Sequence, residues 1–454
     1  MRYFLILLFF PCLLVAQSDW QPLFEDDLNN FRQLNGEAIY ELKNGVLIGT
    51  SKLNTPNSFL ATKIDYSDFI LEFEVWVENG LNSGVQFRSL SKMDYLNGRV
   101  HGYQAEIETS PRRWAGGIYD EARRGWLYPL TRNPQGQQAF KTGEWNHYRI
   151  EAIGNELRTY VNGILCANLV DNLTAKGFIA FQVHGISDKS QAGKQVRWRN
   201  ARILTTELGK NRHALDPTVP QISYLTNQLT AHEKRTGWRL LWDGKTTNGW
   251  RSAKTANFPS KGWEMKEGVL SVLASDGSES TNGGDIITQD VFSNFELLID
   301  FKITEGSNSG IKYFVDPELN QGTGSAIGLE FQILDDKNHP DAKQGVNGNR
   351  TAGSLYDLIR ADNLSEANRS SKRYNGSGGN WNRARIVSNN GKIEHWLNDI
   401  KVVEFDRHSQ IFRALVEKSK YADWEKFGQQ AAGYILLQDH GDLVHFKNIK
   451  VREW

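Results

Sequence analysis

The chain has 454 residues, enough for two or three domains with cores of their own. Its 53 Lys and Arg residues balance 53 Asp and Glu residues, which offers no electrostatic capture of nucleic acid or of an anionic membrane surface. Forty-one Gly and 14 Trp, with many short runs rich in Thr, Val, Ile and Tyr, predict a β-rich fold with many turns.

The N-terminal MRYFLILLFFPCLLVAQSDW carries one Arg, an apolar run and then Val15-Ala16-Gln17. That order predicts a secretory signal over residues 1–16, cut after Ala16, and hence export to the periplasm or the exterior. The run is short for a membrane span, and no later segment approaches that length, so no membrane insertion is expected. Cys12 lacks the small residues of a lipoprotein site and leaves with the signal. Cys166 then stands alone, which excludes a disulfide framework.

From Trp20 onward the chain states a series of phrases and later restates them in the same order. FILEFEVWVENGLNSGVQF answers FELLIDFKITEGSNSGIKY. GYQAEIE from Gly102 answers GLEFQIL from Gly328. GGIYD answers GSLYD, and GFIAFQVHG answers GYILLQDHG. The offset between partners grows from 226 residues at the Asn-Ser-Gly phrases, which begin with Gly80 and Gly306, to 256 residues between His184 and His440. Ordered phrases with a drifting offset predict a duplicated domain whose insertions lie in loops. The copies are placed at 18–204 and 238–454. Between them, 205–237 reads as a linker, polar with two prolines first and a short helix after.

Within each copy, segments such as FELLIDFKI alternate apolar and polar residues as half-buried strands do. Copies of about 200 residues made of short strands favour a β-sandwich. SQIFRALVEKSKYADWEKFG, from Ser409, has helical spacing with Gly428 as a stop, and only the second copy has it.

Alternation also sorts the polar groups. Residues two apart on a strand share a face. Glu330 with Gln332, and Gln104 with Glu106 and Glu108, each form a polar face; so do Gln438 with His440 and Gln182 with His184. Such faces are either solvated surface or a site, and their recurrence in both copies favours a site. Asp335, Asp336, His339 and Asp341 in DDKNHPDAKQG either bind a divalent cation, with Asp335 and His339 as metal ligands, or simply make a turn. The first copy has instead Arg112, Arg113, Arg123 and Arg124, suited to sugar hydroxyls or a carboxylate, or else a solvated basic loop. Trp126, Trp381, Trp396 and Tyr356 are aromatic candidates for stacking on a sugar, against a core role.

Together these motifs resemble the 3-keto-disaccharide hydrolase family. NSGIKYFV, GLEFQILDDKNHPDA, GSLYDL, NWNRARI, EHWLND, SKYADWEKFG and GYILLQDHG carry the likeness through nearly all of 238–454. NSGVQFR, GYQAEIE, GGIYDE and FQVHG carry it in the first copy, which swaps the acid and the amide and lacks the Asp-His loop and the helix. The resemblance implies two tandem all-β, concanavalin A-like jelly-roll β-sandwich domains with a concave polar face, acting on a carbohydrate already oxidised at C3. A C3 ketone acidifies the C2 proton, so a base removes it, the C1 oxygen leaves, and water addition completes a net hydrolysis. On that reading Glu330 or His440 is the base or acid, with Asp335 and Asp336 assisting. Lys312, Gln332, Tyr356, Asp357 and Trp396 position the sugar. Glu106 and His184 are the corresponding catalytic groups of the first copy, with Arg88, Glu108, Tyr119 and Arg124 binding. The Asn-Ser-Gly phrase reads as a turn that feeds a concave strand, its glycines Gly84 and Gly310 permitting a bend or close ligand approach.

Two rivals stand beside this reading. An ordinary glycosidase needs two flanking carboxylates, and Glu106 and Glu108, about 7 Å apart on one strand, meet that spacing. A non-catalytic carbohydrate-binding protein needs only the concave face.

Overall fold

The computed structural model describes residues 19–362 and 381–454. The signal expected over residues 1–16 lies outside them. Four sheets form two sandwiches in tandem. In the first, a nine-stranded sheet contains the strands Phe69–Val77, Asn146–Ile153 and Gln195–Leu204. It packs against a seven-stranded sheet ordered Gly125–Tyr128, Ile118–Glu121, His101–Glu108, Asn82–Leu90, Phe178–Val183, Ser58–Thr62 and Phe31–Asn35. The second sandwich pairs an eight-stranded sheet with a five-stranded one whose last two members are Asn308–Asp316 and Ile327–Leu334. The molecule is an all-β jelly-roll protein built twice.

Alternation produces the layers. On His101–Glu108, Tyr103, Ala105 and Ile107 are fully buried and pack with Phe73, Tyr148, Phe181 and Trp198 between the sheets. In the second copy Leu329, Phe331 and Ile333 take the same place against Phe295, Phe301 and Phe446. Gln104 and Glu106, and Glu330 and Gln332, therefore point to the opposite, concave face.

The strands Asn82–Leu90 and Asn308–Asp316 are interrupted at the same point. Pairing with the next strand shifts between Phe87 and Leu90 and between Tyr313 and Asp316. Arg88 (φ 46°) and Phe314 (φ 51°) adopt left-handed backbone there, as bulges that bend a strand require.

The segment 205–237 is tied to both sandwiches. Ile222–Ser223 adds a parallel strand to the nine-stranded sheet beside Ile164–Val170. Ala231–Arg235 is a short helix closed by a Thr230–Glu233 capping box. The late helix covers Gln410–Glu417, with Ser409 capping its start through the Phe412 N–H at 3.1 Å. It is shorter than its apolar spacing predicts: turns take over from Lys418, where the Ser419 hydroxyl accepts from the Tyr421 N–H at 3.1 Å.

Candidate functional site

The repeated Asn-Ser-Gly phrase builds the concave face rather than a turn in front of it. Asn82 and Asn308 are the first residues of their strands. Ser83 and Ser309 donate to the carbonyls of Gln182 and Gln438 at 2.7 and 2.9 Å, stitching each strand to its neighbour. Gly84 and Gly310 have extended backbone, so no bend requires glycine there. Their need is space: a Cβ would lie 2.3 Å from Gln104 Cδ in one copy and 2.3 Å from Glu330 Oε1 in the other. The glycines are the floor on which the amide and the acid lie.

In the first copy that floor opens into a cavity of about 900 Å³. Asn82, Gln104, Glu106, Arg112, Tyr119, Glu121, Trp126, Gln182 and His184 contribute to its walls. Glu106 is 3% exposed. It accepts from Asn82 Nδ2 at 2.6 Å and Gln104 Nε2 at 3.0 Å, and Arg112 Nη2 lies 3.6 Å away. Burial, and next the neighbouring Glu108, push its carboxyl up to about 7, against the pull of Arg112. Burial and the nearby acids push Tyr119 up to about 12, so its phenol stays protonated at neutral pH. The guanidinium of Arg112 lies 4.9 Å from the rings of both Trp114 and Trp126. His184 lines the rim, its Nδ1 2.7 Å from the Gly185 carbonyl, to which it donates.

The second copy arranges its charges differently. Glu330 sits 3.7 Å from Lys312 Nζ, and burial raises its carboxyl pKa despite Lys312 and Lys420. Lys312 donates to Ser325 Oγ, which bonds to buried Asp285. Lys420 enters from the turns after the helix. The residue is exposed, and its ammonium lies 4.3 Å from the ring centroid of Tyr356 and 5.3 Å from that of Tyr421. Tyr356 donates to Asp341 at 2.9 Å, and Asp357 accepts from Arg350 at 2.7 Å and from the Lys420 N–H at 3.1 Å. Gln332 donates to Asn308, whose amide contacts His440 Nε2 at 3.3 Å.

Several residues expected at the site lie elsewhere. Arg88 sits on the bulge, where alternation fails. Its 1%-exposed side chain bonds the Ser67 and Gly154 carbonyls and Asp68, away from the cavity. Arg124 is spent on Asp120 and Asp171 at the core side of the sheet. Trp396 belongs to the eight-stranded sheet and lies against Arg385 and Glu394. Glu108 is a clamp: it accepts from the Trp114 N–H, Ser110 and Arg112, and so aims Arg112.

The expected metal site is not formed. Asp335 accepts from the Gly306 and Lys337 N–H groups and from Asn338, and Asp336 accepts from the Ala352 N–H. His339 Nδ1 accepts from the Asp341 N–H. Among the described residues no group of three or more His, Cys, Asp or Glu side chains is placed to hold a metal ion. The loop is a turn held by its own side chains. Asn82 and Lys420 were not singled out by sequence. Asn82 is the first letter of the repeated phrase, and that repetition was its signal. Lys420 lies in an insertion with no counterpart to flag it.

A family model described as a 3-keto-alpha-glucoside-1,2-lyase-like domain matches residues 19–204 and again 237–452. A 3-keto-disaccharide hydrolase of Bacteroides thetaiotaomicron is 35% identical over 236 residues, spanning 48% of this chain and 78% of the relative. Two solved structures of candidate glycosyl hydrolases from Parabacteroides distasonis ATCC 8503 are also similar. One is 28% identical, covers 51% of this chain and 100% of its own, and has a TM-score of 0.42. The other is 23% identical, covers 48% and 99%, and has a TM-score of 0.33.

Proposed function

The chain belongs to the 3-keto-alpha-glucoside-1,2-lyase-like family and is a glycosyl hydrolase-like enzyme; from that premise we propose that it cleaves 3-keto-disaccharides and related 3-keto-glycosides by removing the C2 proton. The observation that carries this reading is Glu106, a buried carboxyl held near neutrality on the floor of a large polar cavity. Its carboxylate takes the C2 proton, and the C–H electron pair moves into the enolate, with its charge on the C3 oxygen. Arg112, beside Glu106, supplies the cation for that oxygen. The enolate reforms the ketone as the C1–O bond breaks, and Tyr119, whose protonated phenol lines the same cavity, gives its proton to the leaving oxygen. Water then adds at C1 and a proton returns to C2, which gives net hydrolysis.

The alternative of two carboxylates flanking the bond is disfavoured by Glu108, whose oxygens are taken by Trp114, Ser110 and Arg112. In the second copy Glu330 pairs with Lys312 instead, so we assign the principal base to Glu106. The signal-like N-terminus supports action outside the cytoplasm.

The test compares a 3-keto-glucoside with its unoxidised parent, using the native protein, Glu106→Gln and Glu330→Gln. Cleavage of the keto sugar alone is expected, with Glu106→Gln lowering kcat by at least about 100-fold. Full activity in Glu106→Gln with loss in Glu330→Gln would move the chemistry to the second copy. Cleavage of the parent would restore the ordinary glycosidase.

A further inference from the structure

The cavity of the first copy is longer than the chemistry at Glu106 needs, and its two ends are unlike. Glu106 stands on the strand His101–Glu108, and Phe59 lines the same cavity from Ser58–Thr62. The sheet order puts Asn82–Leu90 and Phe178–Val183 between them, so the two ends lie about 14 Å apart at the usual strand spacing. At the far end the apolar members of the wall are Phe59, Pro56, Ile186 and Leu96, set beside Asn54, Asn57 and Asn97. Phe59 belongs to a small apolar cluster with Ala61, Val100, Phe178 and Ala180.

Leu96 is held there against its own preferences. It is 60% exposed, and its backbone is left-handed at φ 45°, followed by Asn97 at 55° and Gly98 at 82°. Such a conformation in a Leu is kept only where its surroundings fix it. Here they do. The Gly98 carbonyl accepts from Ser91 Oγ at 2.6 Å and Asn35 Nδ2 at 3.1 Å. Tyr95 donates to the Ala122 carbonyl at 2.7 Å, and its ring lies 4.1 Å from that of His101. Two amides at this end are spent internally: Asn35 on Gly98 and the Val100 N–H, and Asn57 on the Gly185 N–H. Asn54 and Asn97 also line this end; what sets it apart is the exposed Leu96 beside Pro56, over the buried Phe59 and Ile186.

We propose that Leu96, with Phe59, Pro56 and Ile186, forms a subsite for an apolar, aromatic leaving group, so that this copy favours aryl glycosides. The inference rests on the sugar ring lying over Glu106. An aromatic ring takes up apolar contact that a hydroxylated second sugar does not reward as well.

The test measures kcat/KM for the 3-keto forms of phenyl glucoside and methyl glucoside with the native protein, Leu96→Asn and Leu96→Gly. Both replacements accept left-handed backbone, so the fold is kept and the melting temperature stays or rises. The phenyl substrate should lose about tenfold while the methyl substrate is unchanged. Equal loss on both, or none on either, overturns the subsite. If the native protein cleaves neither, the proton-abstraction reading fails by itself. The subsite is then judged by calorimetric binding of phenyl glucoside: weaker binding to Leu96→Asn supports it, and equal or absent binding overturns it.

Discussion

Glu106 has its folded pKa raised, to about 7 from 4.5, because the fold favours its protonated form. As a base it must be ionised, so kcat/KM should climb with pH and reach half its plateau near 7, a limb that Glu106→Gln removes. Stability runs the other way. The favoured proton is fully bound below the unfolded value, and stability is lost as pH rises through the folded one, by about 3 kcal/mol in all. Urea titrations at pH 5 and pH 8 should show that slope flattened in Glu106→Gln; an unchanged slope would contradict the burial argument. Gly84→Ala tests the floor. A methyl 2.3 Å from Gln104 Cδ must push aside the amide that bonds Glu106, costing about 1–3 kcal/mol and most of the activity. Thermal melts and initial rates would show both effects. At this scale the sequence put Glu106 and Glu330 on the concave face, where the fold has them, because strict alternation along GYQAEIE and GLEFQIL leaves them one face. It misplaced the role of Glu108, because no spacing tells that a carboxylate will be claimed by the Trp114 N–H.

Among the elements, the bulged strands show where sequence reasoning stops. Alternation from Gly84 and Gln86 assigns Arg88 to the cavity. The bulge at that point turns its guanidinium into the edge of the sandwich, onto two carbonyls and Asp68. Arg88→Ala should therefore cost about 2–4 kcal/mol of stability by leaving those acceptors unpaired, while KM for the keto substrate stays unchanged. A raised KM without loss of stability would return Arg88 to the site. The helix after Ser409 was legible from its spacing and its cap. Its early end was not, because the turns after Lys418 depend on Ser419 and on Asp357, which lies 63 residues earlier in the chain.

Across the whole molecule, the repeat announced two sandwiches, since phrases restated in the same order need two similar cores. The coupling between them was not legible. Tyr224 lies between Arg124 of the first sandwich, at 5.8 Å, and Arg383 of the second, at 4.2 Å. Arg383 also donates to the Ser223 carbonyl and pairs with buried Asp300, and Lys450 pairs with Glu233 of the connecting segment. These contacts join residues from 83 to 217 positions apart, and no local pattern encodes them. Breaking a buried pair of this kind costs more than the pair itself contributes. Calorimetry should therefore show one unfolding transition in the native chain and two in Lys450→Ala, which leaves Glu233 without its partner; two in both would mean that the sandwiches melt independently.

The duplication also left two unlike concave faces, one open over Glu106 and one with Lys420 reaching across Tyr356. Which chemistry the open face performs is tested most directly by the hydrogen at C2. The native protein would be given a 3-keto-glucoside in deuterium oxide, and the released 3-keto-glucose sampled at early times by NMR. Proton abstraction predicts deuterium at C2 of the product, at the rate of cleavage and lost with Glu106→Gln. Cleavage that keeps the original C2 hydrogen would contradict it.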